Sequence, residues 1–197
     1  MRLRARSAIA IGTCLGILLS ASATANIRHT SIPVVIAQPV NVTAVSLIQK
    51  YNKDLSMQQA QELFLCIERT VQEFQNDKFY QKGVAMQITP ELLLALVLHE
   101  SGANNRETSC KGAIGLTQVM PFHVDSLHEA GILDRKDVRE LRNTEKNIRS
   151  GVYILMQYAR TARTVSSALA RYNAGVKGER HGYGYADRVL RLYRQII

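Results

Sequence analysis

One segment limits the fold more than any other. Thr89-Pro90-Glu91 is followed by seven consecutive apolar residues, Leu92 to Leu98, and then by His99-Glu100-Ser101-Gly102. Thr89 has the chemistry of a helix N-cap, Pro90 suits the first helical position, and Glu91 stands where the positive end of the helix dipole favours an acid. Gly102 breaks the pattern. A helix apolar on every face belongs in the middle of a domain, with other elements packed around it. The chain therefore needs several amphipathic partners, and its central helix ends on a carboxylate.

Those partners are visible as helical periodicity. The pattern turns helical from about Val42. Ser56 with Gln59 is a capping-box start, after which Leu63, Ile67, Thr70 or Val71, and Phe74 recur at helical spacing up to an expected stop at Gly83. Residues 102–116 read as a polar, glycine-bearing loop. Residues 144–162 carry a stripe of Ile148, Val152, Leu155 and Ala159. A short helix is predicted over 165–172, ending near Gly175, and a last helix places Tyr185, Val189, Leu192 and Ile196 on one face. Between these two lies a glycine-rich loop, Val176 to Gly184, with room for a small hairpin. No alternating run in 42–197 reads as a strand, and no internal repeat is present. The expected fold class is all-α.

The N-terminus has the pattern of a secretory signal peptide. Arg2, Arg4 and Arg6 precede an apolar run from Ala8 to Leu19, and Ala23-Thr24-Ala25 forms an A-x-A cleavage site before Asn26. The run is too short for a bilayer span, which needs about 20 residues. The expected organisation is a signal peptide over 1–25, a linker or N-terminal arm over 26–55 carrying Pro33 and Pro39, and a helical domain over 56–197. The expected location is the periplasm. The full chain has 197 residues and a net charge of +9; removing 1–25 leaves 22 basic against 16 acidic residues, a charge of +6. Such a balance suits an anionic partner. The shortened chain keeps Cys66 and Cys110, which in an oxidising compartment either bridge or stay as two free thiols.

Glu100 carries the chemical interest. Burial and the negative end of the helix dipole both favour its neutral form, which prepares a carboxylic acid able to donate a proton near neutral pH. Competing chemistries fit poorly. His99-Glu100 begins like the zinc motif H-E-x-x-H, but the second histidine would fall on Ala103, and His128-Glu129 fails at Ile132. No metal site and no cofactor are therefore expected, and His123, His128 and His181 read as surface or structural residues. Gly182-Tyr183-Gly184 lacks a preceding strand, so dinucleotide binding is excluded. With 6% aromatics and no Trp, a stacking platform for single-stranded nucleic acid is excluded too. Cys110 reads as a bridge or packing residue before a nucleophile. Arg188, Arg191 and Arg194 form a basic face, either solvated or anion-binding.

An ordered series of motifs surrounds Glu100. Glu100-Ser101 is followed by Gly112-Ala113-Ile114-Gly115-Leu116-Thr117-Gln118-Val119-Met120-Pro121, then by Asn147-Ile148-x-x-Gly151, Ala170-Arg171-Tyr172-Asn173-Ala174-Gly175, and Tyr185 to Val189. Over about residues 85–195 the series resembles the lytic transglycosylase SLT domain, a goose-lysozyme-like fold that cleaves peptidoglycan. The resemblance implies that Glu100 is the single catalytic acid/base. It implies substrate-binding roles for Ser109, Gln118, Met120, Tyr172, Asn173 and Tyr185, with Ser109 near the N-acetyl group and the attacking hydroxyl. It also implies that Tyr172 hydrogen-bonds near the catalytic carboxylate. Thr117 stands where the family usually has Met, Ala103 and Asn105 replace a common aromatic and Pro, and Ile154 stands where Tyr is common.

The implied reaction cleaves the bond between N-acetylmuramic acid and N-acetylglucosamine without water, leaving a 1,6-anhydro end. Glu107 and Asp125 are the candidates for a second carboxylate, neither within a motif. The alternatives are a goose-type lysozyme that uses water and a non-catalytic peptidoglycan-binding module. The implied partner is the glycan strand of peptidoglycan. Small members of the family are further associated with envelope-spanning secretion, conjugation or pilus machines.

Overall fold

The computed structural model describes residues 41–77 and 87–197. The signal-peptide pattern of 1–25, the segment 26–40 and Gly83 lie outside the described residues. Those residues form seven α-helices in the order α1 (Val42–Tyr51), α2 (Met57–Asn76), α3 (Pro90–Ser101), α4 (Val124–Glu129), α5 (Thr144–Ala159), α6 (Val165–Ala174) and α7 (Glu179–Ile196). Two 3-10 turns, Pro121–His123 and Val138–Arg142, complete the set. No strand occurs among the described residues; two isolated antiparallel bridges, Thr108 with Ile114 and Ile114 with Val119, are the nearest approach.

Helix α3 is the axis of the core. Thr89 Oγ1 accepts the Leu92 N–H at 3.2 Å, Pro90 opens the helix, and Gly102 closes it at φ 58° in the left-handed region. Leu92 through Leu98 are all buried. Helices α1 and α2 pack against α3, α7 also packs against it, and α5 and α6 continue the bundle. The four residues of the α7 stripe and the four of the α5 stripe are all buried, so periodicity located the buried faces correctly.

Several expectations are corrected. The arm drawn over 26–55 includes α1, whose Ala44, Val45, Leu47 and Ile48 are buried in the core, so its C-terminal part belongs to the helical body. Helix α2 begins on the expected capping box but ends at Asn76, where the Asp77 backbone leaves helical geometry. The hairpin suggested in 176–184 is absent: α7 starts at Glu179 and runs through Gly182 and Gly184. Two forces make that stretch helical. Glu179 accepts hydrogen bonds from Ser167 Oγ at 2.6 Å, Tyr183 Oη at 2.7 Å and Arg171 Nε at 2.7 Å, which fixes the first turn on α6. A Cβ on Gly182 would stand 2.2 Å from the Ala170 carbonyl oxygen, so glycine there permits the close approach of α6 and α7.

Both described cysteines are free. Cys66 is buried on the core-facing side of α2, whereas Cys110 is exposed on the loop after α3, so the two do not bridge. No described helix is long and apolar enough to cross a membrane.

Candidate active site

Glu100 sits in the last turn of α3, half-buried and two residues beyond the buried run Leu92–Leu98. Desolvation pushes its carboxyl pKa up to about 7, and the Tyr185 hydroxyl opposes that rise by donating to Oε1 at 2.5 Å. Tyr185 comes from the buried face of α7. Burial and the neighbouring Glu100 charge hold its phenol well above the usual range, so it remains a donor. His99 packs edge-on against the Tyr185 ring, with centroids 4.9 Å apart, and its ring Nε2 accepts from Arg188 Nε at 3.5 Å. Burial and the Arg188 charge hold the imidazole below its ordinary pKa, so it is neutral at neutral pH.

The loop after α3 is held by a buried asparagine. Asn147 Oδ1 accepts the Thr117 N–H at 2.8 Å and the Thr117 hydroxyl at 2.9 Å, while its Nδ2 donates to the carbonyls of Ile114 and Leu141, each at 2.9 Å. Two glycines make room for this. A Cβ on Gly115 would lie 2.4 Å from Asn147 Nδ2, and a Cβ on Gly151 would lie 2.6 Å from the Thr117 side chain. The Asn-x-x-x-Gly spacing thus puts both groups on one face of α5, one binding the loop and one yielding space to it. Ser101 Oγ donates to the Leu116 carbonyl at 2.9 Å, tying the end of α3 to the same loop. Arg142 Nη1 braces the preceding turn through the carbonyls of Arg106 at 2.8 Å and Glu107 at 3.1 Å.

Tyr172, on α6, donates to the Thr117 carbonyl at 2.7 Å rather than to the carboxylate. The carboxylate itself is bound by Tyr185, because α7 packs on α3 while α6 reaches the loop. Tyr172 is nonetheless within range of Glu100, whose charge adds to burial in raising its phenol pKa.

A cavity of about 330 Å³ opens beside Tyr172, and Gln118, Met120 and Asn173 line it with Tyr172 itself. Gln118 adopts φ 49° and bonds its Nε2 to the Gly115 carbonyl at 2.8 Å. Ser109 lies in the turn before: its hydroxyl oxygen accepts the Ala113 N–H at 3.0 Å.

The family model described as "Transglycosylase SLT domain" matches residues 77–187, more than half of the chain. The chain belongs to the transglycosylase SLT domain family. Two relatives, both named "Endo-type membrane-bound lytic murein transglycosylase A" and coming from two strains of Klebsiella pneumoniae, are each 36% identical over 75 residues. The match spans 37% of this chain and 37% of each relative, so the chain covers little more than a third of their length. The all-helical architecture is the lysozyme-like fold of the SLT domain.

Within this SLT domain the structure brings Glu100, Tyr185 and Tyr172 together and gathers Gln118, Met120 and Asn173 on one cavity. The two second-carboxylate candidates each have a partner of their own. Asp125 is an exposed partner of Lys136 at 3.4 Å, and Glu107 accepts from Asn104 at 3.2 Å within its own turn. Thr117, the departure from the family's usual Met, is fully buried and is bound by Asn147 and Tyr172. Sequence reading missed the bracing work of Asn147 and Thr117 and the ring contact of His99. The signal for the Asn147–Thr117 brace was the i, i+4 spacing of Asn147 and Gly151. Among the described residues, no three His, Cys, Asp or Glu side chains cluster to hold a metal ion.

Proposed function

We propose that this protein is an exported peptidoglycan lytic transglycosylase that cleaves the β-1,4 bond between N-acetylmuramic acid and N-acetylglucosamine. The carrying observation is a single carboxyl group, Glu100, raised to about pKa 7 by burial and bound on Oε1 by Tyr185. Near neutrality a substantial fraction of Glu100 is protonated, and donation by Tyr185 to Oε1 leaves the proton on Oε2. That proton passes to the glycosidic oxygen as the bond from C1 breaks. The acetamido carbonyl oxygen of the substrate closes on C1 and takes the cationic charge. Glu100, now a carboxylate, removes the proton from the muramoyl C6 hydroxyl. The C6 oxygen then bonds to C1, the acetamido oxygen departs, and Glu100 is again protonated. Water is not consumed, and the product end is the 1,6-anhydro sugar.

An ordinary glycosidase needs two carboxyl groups flanking the bond. The substrate-assisted route needs Glu100 alone, and what supports it is that Glu100 is the carboxyl group raised to about pKa 7, while Asp125 pairs with Lys136 and Glu107 accepts from Asn104. Ser109, whose hydroxyl proton is left free when its oxygen accepts the Ala113 N–H, serves the N-acetyl group and the attacking hydroxyl. Gln118, Met120, Tyr172 and Asn173 form the sugar-facing wall. The basic surplus draws the enzyme to a wall polymer rich in carboxylates. Export to the periplasm rests on the N-terminal pattern, and service to a secretion, conjugation or pilus machine rests on the family resemblance.

Digestion of purified peptidoglycan, with Glu100→Gln as control, tests the reading by mass spectrometry of the released ends. Anhydro-muramoyl ends are expected from the wild type and none from the variant. Reducing muramic acid ends would make the protein a lysozyme, and retention on the wall without release would make it a binding module.

A further inference from the structure

Phe122 is the most solvent-exposed aromatic residue described, with 71% of its surface in water. It sits at the centre of the 3-10 turn Pro121–His123, between a ring-locked proline and a histidine whose carbonyl accepts from Ser126 Oγ at 2.9 Å. Its ring rests on that of His123, with centroids 4.2 Å apart and planes inclined by 40°. His123 is partly buried, and desolvation holds its imidazole below the ordinary pKa, so Phe122 lies on a neutral ring at neutral pH.

A lone apolar side chain on a surface needs no explanation. This one continues the wall of the 330 Å³ cavity, where Phe122 and His123 join Met120, Tyr158 and the amides of Gln118 and Asn173. Apolar faces interleaved with amide donors and acceptors suit a ligand with a hydrogen-bearing apolar face and a rim of hydroxyls, which is the chemistry of a pyranose ring. Tyr172 lines the same cavity and also lies within range of the Glu100 charge, so the platform is continuous with the candidate active site. A protein partner would call for a larger apolar surround than this cavity offers, since its wall also carries Lys111 and the two amides.

We propose that Phe122, seated on His123, is an aromatic platform that stacks a further sugar ring of the glycan, beyond the residues grouped around Glu100. This rests on the peptidoglycan reading, and it makes Phe122 a determinant of preference for longer strands.

The chain has no Trp, so Phe122→Trp introduces a single fluorescent reporter at the site. The variant is made in a Glu100→Gln background to prevent turnover and titrated with N-acetylglucosamine–N-acetylmuramic acid oligosaccharides of increasing length. The introduced indole is expected to shift its emission to the blue as longer oligosaccharides bind. In the same background Phe122→Ala is expected to weaken binding of the longer oligosaccharides by about tenfold, the scale of one lost ring contact, and Phe122→Trp to restore it. Circular dichroism checks that the exposed substitutions leave the helices intact. Equal calorimetric affinity with and without Phe122→Ala, or glycan binding that leaves the indole emission unmoved, would overturn the platform while the peptidoglycan reading stands. Failure of the Glu100→Gln protein to bind any oligosaccharide or intact wall would overturn both.

Discussion

The Tyr185 hydroxyl donates to Glu100 Oε1 at 2.5 Å, from the buried face of one helix to the last turn of another. This bond stabilises the carboxylate and so works against the burial that raises the Glu100 pKa. Removing the hydroxyl with Tyr185→Phe leaves desolvation unopposed. The Glu100 pKa then rises further, and the alkaline limb of the pH–rate profile moves to higher pH. The turnover rate is expected to fall about 10- to 100-fold, the cost of a hydrogen bond to a charged group. A pH–kcat series on both proteins checks the pair of effects, and an unmoved limb would remove Tyr185 from control of Glu100.

Glu100 also ties stability to pH. Its folded pKa of about 7 lies above the ordinary value of 4.5, so between these the folded protein binds more protons than the unfolded chain. Stability therefore falls as pH rises through that window, and the deficit is complete above it. Glu100→Gln lacks this titration. It is expected to match the wild type below about pH 4 and to be more stable by at most about 3 kcal/mol above pH 8. Urea unfolding across that range measures the difference. Activity in the variant should fall at least about 100-fold, the ordinary loss for a general acid.

The loop carried by Asn147 offers a contrast between two glycines. Gly115 and Gly112 both adopt positive φ, at 76° and 84°. A Cβ at 115 would collide with Asn147 Nδ2, whereas nothing lies within 4 Å of one at 112. Gly112→Ala is expected to cost only the backbone penalty of about 1–2 kcal/mol. Gly115→Ala should cost at least about 3 kcal/mol, since it also displaces a side chain that satisfies buried backbone groups. Denaturant midpoints at constant m-value give both numbers, and equal losses would refute the Asn147 brace.

Much of this arrangement is legible in the sequence because it follows from local rules. The cap at Thr89, the uninterrupted run Leu92–Leu98 and the break at Gly102 place Glu100 at the end of a buried helix with no tertiary information. Helix α7 was obscured at its start for an equally physical reason. Gly178, Gly182 and Gly184 weaken local helix propensity, and the compensation comes from α6 through Ser167, Arg171 and the tight approach at Ala170. Which tyrosine serves Glu100 was likewise closed to sequence. Tyr172 and Tyr185 both face inward, and only the packing of α7 on α3 assigns the carboxylate to Tyr185. The cysteines differ in the same way: spacing allows a bridge, and the separate settings of α2 and the loop after α3 decide against it.

That last point yields a direct thiol assay. In a chain beginning at Asn26, only Cys66 and Cys110 remain. Cys110 is exposed and is expected to react with a disulfide reagent at once in the native protein. Cys66 is buried on α2, and desolvation pushes its thiol above the ordinary pKa, so both access and thiolate fraction are reduced. Its modification should wait for unfolding. The expected count under non-reducing conditions is one thiol in buffer and two in denaturant. Absence of reactive thiols in denaturant would establish the bridge and require α2 and the loop carrying Cys110 to meet.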